Sequence, residues 1–256
     1  MSEVRISFDA GTGVATFTID TAGPVNTIGV QLVADLEAAW RRAATAGARG
    51  VLIRSGKRKS FLDGANLVEL LKLDPRWELR PLLERLQRLL AAMAESEIPV
   101  LGLVEGATAL GGGCELLLWA CDHVLATPGA RLGLPEVNVG LFPAAGGVHT
   151  LPRAIPFKEA LDIITGGRVL PAEDFTKLGL VTMTTPAAIA GDALAWIAAH
   201  PAPANRNRAS APAGGLGDAE KRQLLAATRS RFAACPDRPW FGALLEAMED
   251  GLGRSV

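Results

Sequence analysis

The chain has 256 residues, with 26 Lys plus Arg against 27 Asp plus Glu and a net charge of −1. That balance argues against nucleic acid or an acidic membrane surface as partner, since both are held by an excess of positive charge. Hydrophobic residues at 49% and charged residues at 21% match a globular chain with a sizeable core, and no apolar run reaches the ~18–20 residues of a membrane span.

Residues 1–9 carry Glu3, Arg5 and Asp9 in place of the apolar stretch of a signal peptide. Cys114, Cys121 and Cys235 form an odd set without a disulfide-framework spacing. Both features lead us to expect a cytoplasmic chain with free thiols.

In chain order, Val4 to Phe8 and Val14 to Ile19 read as strands joined at Gly11-Thr12-Gly13, a hairpin signal. Leu32, Val33, Leu36, Ala39 and Trp40 recur at helical spacing. Val51-Leu52-Ile53 reads as a short buried strand, and residues 55–64 as a polar loop. Leu79, Leu82, Leu83, Leu86, Leu89, Leu90 and Met93 form the apolar face of a longer helix. Val100 to Val104 is the next strand, leading through Gly106 to Gly111-Gly112-Gly113. A short buried helix from Glu115 to Ala120 and a strand from His123 to Ala126 follow. Strands alternating with helices at this pace imply β/α units with parallel pairing.

Beyond Gly140 the pattern turns helical over Phe157 to Ile164, Pro171 to Leu178 and Ala187 to Ala199, with Pro171 expected at a first helical position. We expect a core over residues 1–199, a linker over 200–218 that is rich in Pro, Ala, Gly and Asn, and a C-terminal helical segment over 219–256.

Chemistry concentrates at Gly111-Gly112-Gly113-Cys114-Glu115. Glycines allow close backbone approach, and a helix start offers unpaired N–H donors. Such donors suit a carbonyl oxygen that becomes negative during reaction, with Glu115 as an adjacent acid or base. Taken alone, the plainer reading prevails: a packed glycine turn with Glu115 complementing the helix dipole. A second carboxylate follows in Leu134-Pro135-Glu136, where apolar surroundings should raise its pKa toward neutrality. A third piece, Phe61-Leu62-Asp63-Gly64-Ala65-Asn66, offers either a second backbone donor or an ordinary turn into a helix.

These pieces, in this order, resemble the crotonase superfamily of enoyl-CoA hydratases and isomerases. The matching stretches are SGKRKSFLDGANLVEL, PVLGLVEGATALGGGCELLLWACD, RLGLPEVNVGLFPAAGGVHTLPRAIPFKEALDIITGGRVLPAED and LGLV, within roughly residues 10–185. The opening FTIDTAGPVNTIG is similar to the hydratase part of multifunctional β-oxidation enzymes. The resemblance implies an α/β, crotonase-like spiral of ββα units with a helical C-terminal region. It implies hydration of 2-enoyl-CoA to 3-hydroxyacyl-CoA, with no metal, no cofactor beyond the coenzyme A thioester substrate, and a homotrimer or hexamer. An isomerase moving a 3,4 double bond to the 2,3 position, or a non-catalytic acyl-CoA-binding scaffold, are the alternatives.

Residue by residue, the resemblance makes the N–H groups of Ala65 and Gly112 the holders of the thioester oxygen. Glu115 and Glu136 become the catalytic pair. Asp63, Gly64, Gly111 and Ala144 would border the substrate, and Lys57 and Lys59 would meet the CoA phosphates. The chain departs from the family pattern at Asn66, where Asp is usual, at Asp63, where a small residue is usual, and at Ala144 and Thr150, where Gly and Arg are usual. Asp63 is expected to face solvent or to cap the following helix, because a carboxylate aimed at the oxyanion would oppose its charge.

Overall fold

The structure, a computed structural model, describes residues 2–201, 216–233, 238 and 240–252. Two strands, β1 (Val4–Phe8) and β2 (Val14–Ile19), pair antiparallel with Val4 opposite Ile19 and Phe8 opposite Ala15. Gly13 turns the hairpin at φ +72°, a conformation that glycine adopts without the steric cost of a Cβ. Helix α1 (Val30–Thr45) then buries Leu32, Val33, Leu36, Ala39 and Ala43, a stripe at three- and four-residue spacing.

From this point the chain winds as a spiral that deals one strand to each of two sheets on every turn. Its first turn contributes β3 (Gly50–Ser55) and β4 (Ser60–Asp63), followed by α2 (Leu67–Leu70), a wide helical turn at Pro75–Leu79 and α3 (Arg80–Glu95). A second turn contributes β5 (Val100–Val104), β6 (Thr108–Leu110) and α4 (Gly112–Trp119). The third contributes β7 (His123–Ala126) and β8 (Arg131–Gly133), then a tight turn at Glu136–Val139 and helices α5 (Gly147–Ala154) and α6 (Phe157–Gly166). Strand β9 (Val169–Pro171), helix α7 (Ala172–Lys177), strand β10 (Thr182–Met183) and helix α8 (Ile189–Ala199) complete this part. The larger sheet has the order β1-β2-β3-β5-β7-β10 and the smaller β4-β6-β8-β9. Pairing is parallel except at β1–β2 and β8–β9.

Residues 55–64 therefore do not form a loop throughout. They include β4, whose Phe61 and Leu62 are fully buried. Truncating either to Ala would cost about 3–5 kcal/mol. Pro171 ends β9 and stands just before α7, one position earlier than expected.

The larger sheet is covered on both faces. Val51 and Ile53 face the main core, while Leu52 joins Leu101, Leu103 and Leu125 beneath Ile189, Ala193 and Ile197 of α8. A strand covered on both sides needs apolar residues without alternation, which is why Val51-Leu52-Ile53 is continuous.

At the C-terminal end, α9 (Asp218–Ala233) and α10 (Phe241–Asp250) fold back onto the core. Phe241, Leu244, Leu245 and Met248 are buried, and Arg153 donates to the Gly251 carbonyl at 2.8 Å. The expected linker lies mostly outside the described residues, and Cys235 lies outside them as well. No described helix is long and apolar enough to cross a membrane.

Candidate active site

Strands β4, β6 and β8 run parallel in the smaller sheet, so their C-terminal ends lie side by side. Ligands of open α/β sheets bind outside such ends. Gly64 leaves β4 at φ +83° and Gly111 leaves β6 at φ +52°. The two backbones pass closely: a Cβ on Gly111 would stand 3.4 Å from the Gly64 Cα and 3.0 Å from Glu136 Oε1. Glycine at 111 thus admits both a left-handed backbone and a carboxylate beside it. Gly113 meets a different demand, because a Cβ there would fall on the Leu62 carbonyl and separate α4 from β4.

Two backbone donors open into this junction. Ala65 bridges Ile28 in a parallel arrangement, with the Ile28 N–H donating to the Gly64 carbonyl at 2.7 Å and the Asn66 N–H to the Ile28 carbonyl at 2.8 Å. In a parallel bridge those bonds use the residues on either side, so the N–H of Ala65 itself points away from Ile28. Gly112 is the first residue of α4, where an N–H has no partner within the helix. Among the described residues, neither the Ala65 nor the Gly112 N–H finds an acceptor. Ile28 joins the two sites: its backbone holds Ala65, and its side chain lies against Gly112.

Glu115 sits one helical turn into α4 and is 2% exposed, which leaves its carboxylate dependent on protein partners. Its Oε1 accepts the Gly147 N–H at 2.7 Å. Burial raises its pKa to about 7, against the opposing pull of the Gly147, Ala145 and Gly146 N–H groups. Glu136, in the turn after β8, has its pKa raised to about 8 by burial and by the nearby charge of Glu115. Its Oε2 is buried without a hydrogen-bond partner in the structure. Two carboxylates whose protons are held this tightly can sit in different protonation states near neutral pH.

The turn holding Glu115 is itself supported. Gln87 of α3 donates to the Ala144 carbonyl at 2.7 Å, Thr150 donates to the Gly146 carbonyl at 3.2 Å, and the Trp119 ring fills the space beneath Gly146. The Ala144 carbonyl is thus taken up by Gln87. Gln87, Gly147, Trp119 and Ile28 carry no sequence signal of their own, except that the Gly146-Gly147 pair marks a close approach.

Several expected residues lie elsewhere or act otherwise. Lys57 does not reach outward for phosphate: its ammonium bonds Asp20 Oδ1 at 3.1 Å, the Thr21 carbonyl at 2.7 Å and the Gly23 carbonyl at 2.9 Å. Those three acceptors use all three of its protons. Lys59 is exposed, and its carbonyl accepts from Thr108. Asp63 neither caps the next helix nor faces solvent fully. Its Oδ1 is buried without a partner, burial raises its pKa, and the cap on α2 is Asn66. No group of three or more His, Cys, Asp or Glu positioned to hold a metal occurs among the described residues.

Comparison with known proteins then places the chain. The Enoyl-CoA hydratase/isomerase family matches residues 9–207. The chain belongs to that family. It is 36% identical over 181 residues to the fatty acid oxidation complex subunit alpha of Shewanella loihica, covering 69% of this chain and 25% of that protein. This hydratase/isomerase chain thus spans about a quarter of the length of that relative. Among solved structures, it is similar to an enoyl-CoA hydratase of Mycobacterium smegmatis, at 27% identity and a TM-score of 0.71 over 78% of this chain and 77% of the other. An enoyl-CoA hydratase of Thermoplasma volcanium shares the fold at 23% identity and a TM-score of 0.73, over 100% of this chain and 98% of that one.

Proposed function

We propose that this member of the enoyl-CoA hydratase/isomerase family adds water to 2-enoyl-CoA thioesters, giving 3-hydroxyacyl-CoA. The convergence of buried Glu115 and half-buried Glu136 on two unpaired backbone N–H groups carries this reading. The thioester oxygen accepts from Ala65 and Gly112, whose donors strengthen as the oxygen gains charge in the enolate-like transition state. Ionised Glu115 takes a proton from water as its oxygen bonds to the β-carbon. The alkene electron pair moves toward the α-carbon, which receives the proton of neutral Glu136. A proton has then passed from one glutamate position to the other, and exchange with solvent resets the pair.

Removing one donor of this kind typically raises the barrier by about 3–4 kcal/mol. The name of the Shewanella relative directs attention to acyl-CoA of fatty acid oxidation as the substrate class. Loss of enoyl-thioester absorbance with crotonyl-CoA and longer 2-enoyl-CoAs tests the proposal. Turnover of a 3-enoyl-CoA without hydration would make the chain an isomerase, and inertness toward both would make it a binding protein.

A further inference from the structure

Glu115 Oε1 accepts the Gly147 N–H, and the N–H groups of Ala145 and Gly146 also draw its pKa down. A peptide unit is rigid and turns as a whole, so these N–H groups face Glu115 only while their peptide planes are held. No peptide bond among the described residues is cis. The carbonyl of one residue and the N–H of the next therefore point in opposite directions. A group that grips the carbonyl on one side of the turn aims the N–H on the other.

The peptides of this turn differ in what grips them. The Gly146–Gly147 unit is held three times over: the Gly146 carbonyl accepts the His149 and Thr150 N–H groups, each at 2.9 Å, and the Thr150 hydroxyl at 3.2 Å. The Ala144–Ala145 unit precedes α5 and belongs to no helix or strand. Among the described residues, no backbone N–H reaches the Ala144 carbonyl. Its hold is the Gln87 amide, which donates at 2.7 Å. Helix α3 places that amide half-buried between Leu86 and Leu90, both packed into the core, where an unbonded polar group is costly.

We propose that Gln87 is a positioning residue for Glu115: by gripping the Ala144 carbonyl, it turns the Ala145 N–H toward that carboxylate. It touches no reacting atom. Without this grip the peptide is free to turn, Glu115 loses one of three stabilising N–H groups, and its ionised form becomes harder to reach.

This inference rests on the hydratase reading for its kinetic arm only. Gln87→Met keeps the length of the side chain and removes the donor. The acidic limb of kcat/KM for crotonyl-CoA reports ionisation of the base in the free enzyme. In Gln87→Met that limb should move up by about one pH unit, the scale of one N–H among the two or three that lower a carboxylate pKa. The corresponding loss in kcat/KM is about 5-fold at pH 7 and shrinks to about 2-fold at pH 8. Thr150→Val removes a grip that two backbone N–H groups duplicate, and should move the limb far less. The same shift should appear without substrate, in the carboxyl resonance of carbon-13-labelled Glu115. It is read in the Glu136→Gln background, with and without Gln87→Met, so that one carboxylate titrates alone. Should Gln87→Met fail to fold, Gln87→Asn, whose amide falls one methylene short of the carbonyl, gives the same readings. An unmoved Glu115 titration, or an equal shift in Thr150→Val, would overturn the assignment. If the wild type hydrates nothing, the proposed reaction falls while the resonance titration still judges Gln87.

Discussion

Glu115 caps a helix to which it does not belong: its Oε1 accepts the N–H of Gly147, the first residue of α5, at 2.7 Å. The start of that helix presents unpaired N–H groups and a partial positive charge to the carboxylate. Burial pushes the pKa of Glu115 up and these N–H groups pull it back, which leaves it at about 7. Glu136 lacks such a partner on Oε2 and titrates higher, at about 8. The Gly147 contact distinguishes the two carboxylates, and under the proposed hydration it suits Glu115 to the ionised role and Glu136 to the protonated one.

Glu115→Gln and Glu136→Gln should each lower hydration by ~10²–10⁴-fold, the range for a general acid or base. The double mutant should lose far less than the product of the two, because both side chains serve the same water. An isomerase would tolerate one of the substitutions toward a 3-enoyl-CoA. Hydration at wild-type rate by Glu115→Gln would end the two-carboxylate mechanism.

The neighbouring glycines should separate catalysis from folding. A Cβ at Gly112 meets the end of the Ile28 side chain and stands 3.9 Å from Glu115 Oε2, while one at Gly113 meets the Leu62 backbone. Gly112→Val should fold, with kcat cut sharply as the side chain crowds the donor. Gly113→Ala should instead lose about 1–3 kcal/mol or more of stability, as overpacking does. Thermal melts and kcat on both variants check this, and the reverse pattern would move the donor away from Gly112.

Stability should fall as pH rises from about 4.5 to about 8. Glu115 and Glu136 have pKa values raised from 4.5 to about 7 and about 8, so over that window the native state binds more protons than the unfolded chain. Their stabilising contribution is complete below the unfolded value and is lost through the folded values. The two shifts correspond to about 3 kcal/mol for Glu115 and about 5 kcal/mol for Glu136 at most. Urea melts across this range should show the decline, and it should shrink in the Glu115→Gln/Glu136→Gln double mutant. A decline of equal size in that mutant would assign it to other groups.

Trp119→Ala would empty the space beneath Gly146 and free the turn that holds Glu115. We expect a loss of about 3 kcal/mol, the low end for such truncations, together with a fall in kcat exceeding any rise in KM. Urea denaturation and steady-state kinetics measure the two effects. Unchanged kcat in a destabilised protein would confine Trp119 to packing.

Much of the fold is legible in the chain because the larger sheet is covered on both faces. Strands β1, β2, β5 and β7 end where their apolar runs end. The smaller sheet is harder to see. Strands β4 and β6 are short and carry Asp63 and Thr108, and the ladder with their neighbours makes them strands. Helix α5 holds Gly147 and Pro152, both poor helix formers, and is fixed by the burial of Val148 and Leu151. The glycine run and both glutamates stand out in sequence because three neighbouring glycines serve distinct close approaches. The supports from Ile28 and Gln87 do not, since each comes from a remote segment through packing or a backbone bond that leaves no local pattern. Lys57 misleads for a related reason: a basic residue in a loop looks solvated until its carbonyl partners at Thr21 and Gly23 are in view.

The spiral also orders the site in time. Because β4, β6 and β8 line up in chain order, a polypeptide leaving the ribosome presents Ala65 first, then Gly112 and Glu115, then Glu136, and only afterwards Gly147. A nascent chain released before α5 would carry the Ala65 and Gly112 N–H groups yet lack the Gly147 N–H that Glu115 accepts. Under the proposed reaction, prematurely terminated products should thus be inert toward thioesters, and the Glu115 carboxylate would be left without its N–H partner inside an incomplete core, which is energetically costly.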